Sequence, residues 1–210
     1  MTRDWQAWHQ QYADPSSSLS RRLETVRTAL SNLLVTADEP VRLVSICAGD
    51  GRDTLPVLEQ SGAAVSGVLV ELDPVLADRA RTDAPPGVEV RVADAGTTTA
   101  YADACPADVF LACGVFGNIT DADIARTIAT LPTLLASGGH VVWTRGDRVP
   151  QDPTTYDGDA SELVRQLFAD AGFEEVAFVR PDDAGFRVGV HRWPGPDGSP
   201  RPDVRMFTFV

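Results

Sequence analysis

Residues 41–58 read VRLVSICAGDGRDTLPVL, an apolar β-branched run that ends in a glycine turn and is followed by the start of a helix. A second apolar run, GVLVELDP at 67–74, places Glu71 about 20 residues beyond the turn, which is the spacing of a nucleoside site in parallel α/β proteins. The glycines let the backbone approach a ligand closely, and an acidic residue at the next strand end can accept hydrogen bonds from both ribose hydroxyls. The stretch therefore predicts a nucleoside site where the first two strands end.

The glycine turn also distinguishes between two classes of nucleoside cofactor. A dinucleotide site needs the spacing G-x-G-x-x-G, whereas residues 49–54 read GDGRDT and lack the third glycine. Asp50 and Asp53 would in addition place negative charge beside any phosphate. The turn disfavours a nicotinamide dehydrogenase, which stays an alternative, and favours a nucleoside that carries positive charge.

Five sequence motifs between about residues 41 and 145 occur in a fixed order. They are SICAGDG at 45–51, ELDP at 71–74, Asp94 after the third strand, DVFLACG at 108–114 and LLASGGHVVWT at 134–144. On these residues and their order the sequence resembles the class I S-adenosylmethionine-dependent methyltransferases. Two positions depart from the family pattern, since Cys47 stands for the first glycine and Ser45 for an acidic residue. Because cysteine rarely adopts a positive φ, an ordinary φ is expected at Cys47.

The resemblance implies a fold and a set of cofactor contacts. Strand–helix alternation followed by a late strand hairpin predicts a mostly parallel sheet, and the family fold is an α/β, doubly wound, seven-stranded, Rossmann-like sheet with an antiparallel edge strand. One domain is expected over 1–210, with residues 1–38 as an N-terminal helical cap or lid. The implied cofactor is S-adenosylmethionine (SAM), with S-adenosylhomocysteine (SAH) as its product. The implied cofactor-binding residues are Cys47, Ala48, Gly49, Gly51, Asp53, Glu71, Leu72, Asp94, Ala95, Cys113 and Gly114.

Several of these residues also have plainer interpretations. In the functional interpretation Glu71 holds the ribose, Asp94 accepts the exocyclic amine of adenine while the Ala95 amide faces a ring nitrogen, and Cys113 lies near the methyl-bearing sulfur. In the plainer one, Glu71 is a solvated carboxylate at a strand end and Asp94 caps the turn after the third strand. Cys113 is then only a small buried hydrophobic residue.

Methyl transfer requires mainly placement from the protein, because the cofactor carries the reactivity. The nucleophile must lie about 3–3.5 Å from the methyl carbon, and a general base is needed only if the acceptor is protonated. The tentative catalytic residues are His9, Tyr12 and Asn118, with His9 as the best candidate base. Residues 1–20 are the leading candidate for a lid, and the alternative is that their aromatic side chains only pack on the core. The loop 145–156 is a second candidate wall of the acceptor site.

The composition of the sequence limits the classes of partner and the cellular location that we expect. The net charge of −12 disfavours tight binding to nucleic acid or to an anionic membrane. No apolar run reaches the length of a membrane span, and no residues show metal-ligand spacing. Three cysteines, an odd number, favour reduced thiols and a cytoplasmic location. A local basic face stays open because five arginines occur late in the chain, at Arg180, Arg187, Arg192, Arg201 and Arg205.

The sequence therefore favours a SAM-dependent methyltransferase that acts on a small molecule. The main alternative is a non-catalytic SAM-binding or interaction protein on the same fold. The oligomeric state is open, and the late strands offer an edge through which a homodimer could pair.

Some element boundaries are specific enough to compare with a structure. Apolar residues at helical spacing predict a helix over 19–34, and Asp73 before Pro74 predicts a helix N-cap. The glycine pair at 138–139 predicts that strand five occupies 140–145. Apolar residues after the last turn predict a strand over 204–209.

Overall fold

A seven-stranded sheet forms the centre of the computed structural model, which describes residues 12, 14, 16–37, 39–146 and 159–210. The strands are β1 (Val41–Ile46), β2 (Val65–Glu71), β3 (Val88–Val92), β4 (Ala107–Ala112), β5 (Leu135–Gly146), β6 (Glu174–Val179) and β7 (Phe186–Arg192). The α-helices of the described residues are α1 (Ser18–Val35), α2 (Leu55–Ser61), α3 (Pro74–Asp83), α4 (Asp121–Thr130) and α5 (Ala160–Asp170).

The strand order across the sheet is β3-β2-β1-β4-β5-β7-β6, and every neighbouring pair is parallel except the two pairs that include β7. The chain places β2 and β3 on one side of β1 and then returns to place β4 on the other side. The gap between β1 and β4 is thus a topological switch point, where open α/β sheets form a ligand crevice at the carboxyl ends of the strands. The predicted fold class is confirmed, and the antiparallel strand is β7, next to the edge strand β6.

Helices cover both faces of the sheet, which is why β1 and β4 are apolar on both faces. On one face α1, α2 and α3 pack over a buried cluster that includes Leu30, Leu58 and Ala77. On the other face α4 and α5 pack over a second cluster that includes Ile128 and Phe168. The sheet is therefore covered on both faces and open at the two ends of its strands. The loops after β1, β2, β3 and β4 lie together at the carboxyl ends of these strands.

Local signals place the helix ends as the sequence predicts. The Asp73 side chain accepts hydrogen bonds from Val75 N–H at 2.8 Å and Leu76 N–H at 3.4 Å, with Pro74 as the first residue of α3. The helix predicted over 19–34 is α1, and the Ser17 hydroxyl accepts from Ser20 N–H at its start. Among the described residues, no helix combines the length and apolar character needed to cross a membrane.

Two predicted boundaries are wrong. Strand β5 begins at Leu135 rather than at 140, because the chain pairs with Ala107 before the glycines and Gly138, at φ +77°, forms part of an irregularity within the strand. The segment 204–210, predicted as a strand over 204–209, forms only a single β-bridge, between Thr97 and Arg205. Its other backbone bonds go to the loops after β3 and β4 and to side chains such as Asp123, and not to a strand, so no ladder forms.

Candidate functional site

The turn after β1 has three residues with positive φ. They are Cys47 at +53°, Gly49 at +59° and Gly51 at +73°. The expectation of an ordinary φ at Cys47 is therefore wrong: the cysteine adopts the left-handed conformation that the family's glycine would adopt without strain. For a non-glycine residue this costs about 1–2 kcal/mol. The next residue fixes the turn to the sheet, since Ala48 N–H donates to Val70 O at 3.0 Å.

The Glu71 carboxylate joins this turn to the end of β2. One oxygen accepts from Gly49 N–H at 2.8 Å, and the other accepts from Asp73 N–H at 2.9 Å. The carboxylate is therefore held in one orientation rather than solvated freely. Each of its oxygens has a further lone pair with which it can accept a hydroxyl donor.

Asp94, which follows β3, is also held at both oxygens. Its Oδ1 accepts from Gly96 N–H at 2.8 Å, and its Oδ2 accepts from Arg205 Nη1 at 2.7 Å. Partial burial raises the pKa of Asp94, but the hydrogen bonds from Arg205 and Gly96 outweigh this effect, so the pKa lies below its usual value. Asp94 thus does cap the turn after β3, and it remains ionised at neutral pH.

The loop after β4 brings the last part of the site. Gly114, at φ +76°, donates its N–H to the Thr144 hydroxyl at 2.8 Å and so ties the end of β4 to β5. The Asn118 side-chain amide donates to Gly114 O at 2.7 Å, which fixes the turn between them. Asn118 is therefore a positioning group for this loop.

These loops enclose one cavity of about 680 Å³ at the switch point. Every predicted cofactor-binding residue lines it except Gly51, and so do Tyr12 and Asn118. Gly51 instead allows α2 to approach, because a Cβ atom there would lie 2.5 Å from Leu55 Cδ1. His9, the third tentative catalytic residue, lies outside the described residues.

The Arg22 guanidinium of α1 is a positively charged group at the cavity wall. The Tyr12 hydroxyl accepts from Arg22 Nη2 at 2.9 Å, and the Arg52 guanidinium lies 4.3 Å from the centroid of the Tyr12 ring. Burial raises the pKa of Tyr12, against the opposing effect of Arg22, so the phenol stays protonated at neutral pH. Burial also raises the pKa of Asp53, which lines the same side and lies close enough to Arg22 to feel its charge.

The two cysteines of the cavity are not ionised nucleophiles. Burial raises the thiol pKa of Cys47, and the charges of Glu71 and Asp94 raise it further. Burial likewise raises the thiol pKa of Cys113, with a contribution from Asp53. Both thiols stay protonated at neutral pH, and they act as small wall groups.

The sequence does not identify the wall opposite α1. This wall is formed by the segment 204–210, which supplies Arg205, Phe207, Thr208 and Phe209 to the cavity lining. The only signal in the sequence is the group of late arginines, which predicts a local basic face and not a wall of the cavity. The structure pairs four of these arginines with carboxylates: Arg180 and Arg187 with Asp159, Arg192 with Glu174 and Arg205 with Asp94.

The second candidate wall begins at Arg145, which does not line the cavity. Its side chain is 3% exposed and pairs with Asp121 at 3.1 Å, while Nε and Nη1 have no acceptor in the part of the chain that the structure describes. The part of that loop from 147 to 156 lies outside the described residues. Within the described ranges, no three His, Cys, Asp or Glu side chains are grouped so that they could hold a metal ion.

Comparison with known proteins supports the fold at low sequence identity. No family model matches this chain, and no curated protein matches it. A SAM-dependent methyltransferase from Mesorhizobium loti is similar in structure, with a TM-score of 0.60 and 15% identity over 84% of this chain and 98% of its own. The N-methyltransferase NodS from Bradyrhizobium japonicum WM9 has a TM-score of 0.58 and 18% identity over 87% of this chain and 100% of its own.

Not every similar structure is named as a methyltransferase. The [4+2]-cyclase SpnF has a TM-score of 0.60 and 16% identity over 88% of this chain and 85% of its own. At these identities the similarities show the fold alone, and that fold is the Rossmann-like fold of SAM-dependent methyltransferases.

Proposed function

We propose that this protein is a SAM-dependent methyltransferase that transfers the methyl group to a small-molecule acceptor. The observation that carries the proposal is the single cavity at the switch point between β1 and β4. It brings together the positive-φ turn, the oriented Glu71 carboxylate, Asp94 and the end of β4 at Cys113 and Gly114.

The charges around the cavity fit SAM better than a dinucleotide. Asp50, Asp53 and Glu71 all line the cavity beside the glycine turn. Their negative charge suits a sulfonium and an ammonium group, whereas it opposes a pyrophosphate at the same turn. Asp50 is paired with Arg52 at 2.7 Å, which leaves Asp53 and Glu71 to supply the negative charge beside the glycine turn.

In this proposal the residues that line the cavity have separate roles in binding the cofactor and orienting the acceptor. SAM, when bound, supplies a methyl group on a positively charged sulfur, and this group passes to the acceptor by in-line displacement. Glu71 accepts from the ribose hydroxyls, and Asp94 accepts from the nucleobase. Leu23 and Val26 of α1 close the cavity with apolar side chains and exclude water. Tyr12, held by Arg22, donates its hydroxyl proton to orient the acceptor.

If the acceptor is protonated, a group in the site must take up its proton during methyl transfer. Asp53 is a carboxyl in the cavity wall whose pKa burial raises toward the operating pH, which is what a general base requires. We assign it the role of proton acceptor. In this assignment Asp53→Asn slows transfer to a protonated acceptor at saturating SAM by about 10²-fold or more.

Size and charge favour a small acceptor. A cavity of about 680 Å³ holds a cofactor and a metabolite rather than a folded macromolecule. The net charge of −12 disfavours nucleic acid as the acceptor.

All three cysteines are free thiols, which supports the cytoplasmic location expected from the sequence.

The proposal is tested by isothermal titration calorimetry of the purified protein with SAM, SAH and NAD in separate titrations. We expect binding of SAM and SAH at micromolar concentrations and no binding of NAD. An acceptor panel, monitored by release of SAH, then measures turnover. Heat with NAD alone would identify a dehydrogenase, and absence of heat with both SAM and SAH would refute the proposal.

A second candidate function is binding of SAM without methyl transfer. Its support is the similar [4+2]-cyclase, a protein on this fold whose name states a different reaction, together with the strained Cys47 in the cofactor turn. Binding of SAM without release of SAH across the acceptor panel would favour this candidate.

A further inference from the structure

The segment 204–210 is fixed on the loop after β3. Met206 N–H and Phe207 N–H donate to Gly96 O at 2.8 and 3.4 Å, and Thr98 N–H donates to Val204 O at 3.0 Å. The side chains of Met206 and Phe207 are buried in the core cluster under α4 and α5. This part of the cavity wall therefore has a defined position relative to Asp94.

Gly96 shows how closely the two pieces of chain approach. A Cβ atom on Gly96 would lie 2.4 Å from Phe207 O, 2.8 Å from Arg205 Nη1 and 3.0 Å from Asp94 Oδ1. The glycine thus permits a contact in which the backbone of the segment lies directly against the turn. The Arg205 guanidinium is brought to Asp94 by this contact.

We infer that Arg205 is a specificity-determining residue, which pairs with Asp94 and fixes its carboxylate as an acceptor for the exocyclic amine of adenine. The inference rests on the proposed function, because it assumes that an adenosyl ligand occupies the cavity. Its geometric basis is the pair of bonds on Asp94, from Arg205 Nη1 at 2.7 Å and from Gly96 N–H at 2.8 Å. Each oxygen of Asp94 accepts one donor from the protein and keeps a further lone pair, and Asp94 and Arg205 both line the cavity.

The chemical consequence is a choice between nucleobases. An ionised carboxylate only accepts hydrogen bonds, so it matches the amine of adenine and opposes the carbonyl oxygen that hypoxanthine has at the same position. Arg205 and Gly96 N–H together hold the carboxylate in one orientation, because each of them donates to a different oxygen. Without Arg205, Asp94 retains only the bond from Gly96 N–H, and Oδ2 is then free to rotate away from the nucleobase.

The test compares SAH with S-inosylhomocysteine by calorimetry; the analogue has a carbonyl oxygen in place of the amine and a proton on the adjacent ring nitrogen. The effect of that ring nitrogen is common to the wild type and the Arg205 variants, so a change in the affinity ratio reports on the contact of Asp94 with the amine. The wild-type protein should bind SAH about 10-fold or more tightly than the inosyl analogue, since an unmatched polar group has a cost of that order. In Arg205→Gln this ratio should fall by about 3-fold or more, and in Arg205→Lys, which keeps the charge, it should be largely retained. Arg201→Gln, on the same stretch of chain and exposed, is the matched control and should keep the wild-type ratio.

A second variant covers the case in which Arg205→Gln folds poorly. Asp94→Asn keeps the size of the side chain and can present either an oxygen or an NH₂ group, so the ratio should shift toward the inosyl analogue. If Arg205 were only structural, its loss would weaken the binding of both ligands equally. An unchanged ratio of the two affinities would therefore overturn the inference, while binding of SAH by the same protein would still support the proposed function. A wild-type protein that binds neither ligand would overturn both.

Discussion

A single residue, Cys47, has a backbone conformation that its side chain disfavours. Replacement by glycine removes about 1–2 kcal/mol of strain and increases the chain entropy lost on folding by about 0.5–1 kcal/mol. Cys47→Gly should therefore change the free energy of unfolding by about 1 kcal/mol or less. Cys47→Val, with a β-branched side chain at positive φ, should lower it by about 2–3 kcal/mol, as measured by urea denaturation.

The matched control for the valine variant is Cys105→Val. Cys105 has φ −101° and ψ 159°, a conformation in which valine is favourable, and its side chain is also partly buried. The control should lie within about 1 kcal/mol of the wild type. Equal effects at the two cysteines would show that the left-handed conformation is not retained in solution.

A second prediction at the residue scale concerns Glu71. Glu71→Gln replaces one acceptor by an NH₂ group, which then faces Gly49 N–H or Asp73 N–H and cannot accept from it. The Kd for SAH should rise by about 10-fold or more, because charge-assisted hydrogen bonds contribute about 1.5–3 kcal/mol each. The control is Glu59→Gln on the exposed face of α2, which should leave the Kd unchanged. A Kd unaffected by the Glu71 change would mean that this carboxylate only shapes the turn.

At the scale of elements, the contact between the loop after β3 and the segment 204–210 is the critical junction. Gly96→Ala places a methyl group within 3 Å of the Phe207 backbone and should displace the segment. We expect a loss of about 1–3 kcal/mol in the free energy of unfolding and weaker SAH binding. Gly117→Ala, where nothing lies within 4 Å of the added Cβ, is the control. Wild-type SAH affinity in Gly96→Ala would show that the segment is not part of the binding wall.

The elements show which parts of the fold can be predicted from sequence. Helix α1 and strands β1 to β3 have local signals, because apolar spacing, Asp73 as an N-cap and glycines at turns all act within a few residues. The start of β5 could not be predicted, since it depends on the pairing of Leu135 with Ala107. The placement of Arg205 beside Asp94 has no local signal at all, and for that reason one wall of the candidate site was missed.

The core of the whole molecule contains a titratable group that should make stability depend on pH. His191 is 1% exposed, accepts from Trp143 Nε1 at 3.0 Å and stacks on Phe168. Burial lowers its pKa from 6.5 to about 4, although Glu175 acts in the opposite direction. The folded state therefore excludes a proton that the unfolded state binds below pH 6.5. The stabilisation is full above pH 6.5, and about 3 kcal/mol is lost as the pH falls to about 4.

The non-titrating variant His191→Gln isolates this effect, because glutamine can still accept from Trp143 Nε1. Urea denaturation at pH 7, 5.5 and 4 should show the wild type losing about 3 kcal/mol more than the variant over this range. Carboxylates with lowered pKa values, such as Asp159, contribute equally to both proteins. Parallel pH curves for the two proteins would contradict a neutral buried imidazole.

The pairing of Asp94 with Arg205 has a consequence for synthesis on the ribosome. The two residues are 111 positions apart, so at typical translation rates Arg205 is added roughly 5–20 s after Asp94. Until then the nascent half-sheet of β1 to β3 has the glycine turn and Glu71 but lacks the segment 204–210, which forms part of the cavity wall. A ligand that needs both parts of this wall can therefore stabilise only chains that have reached residue 205.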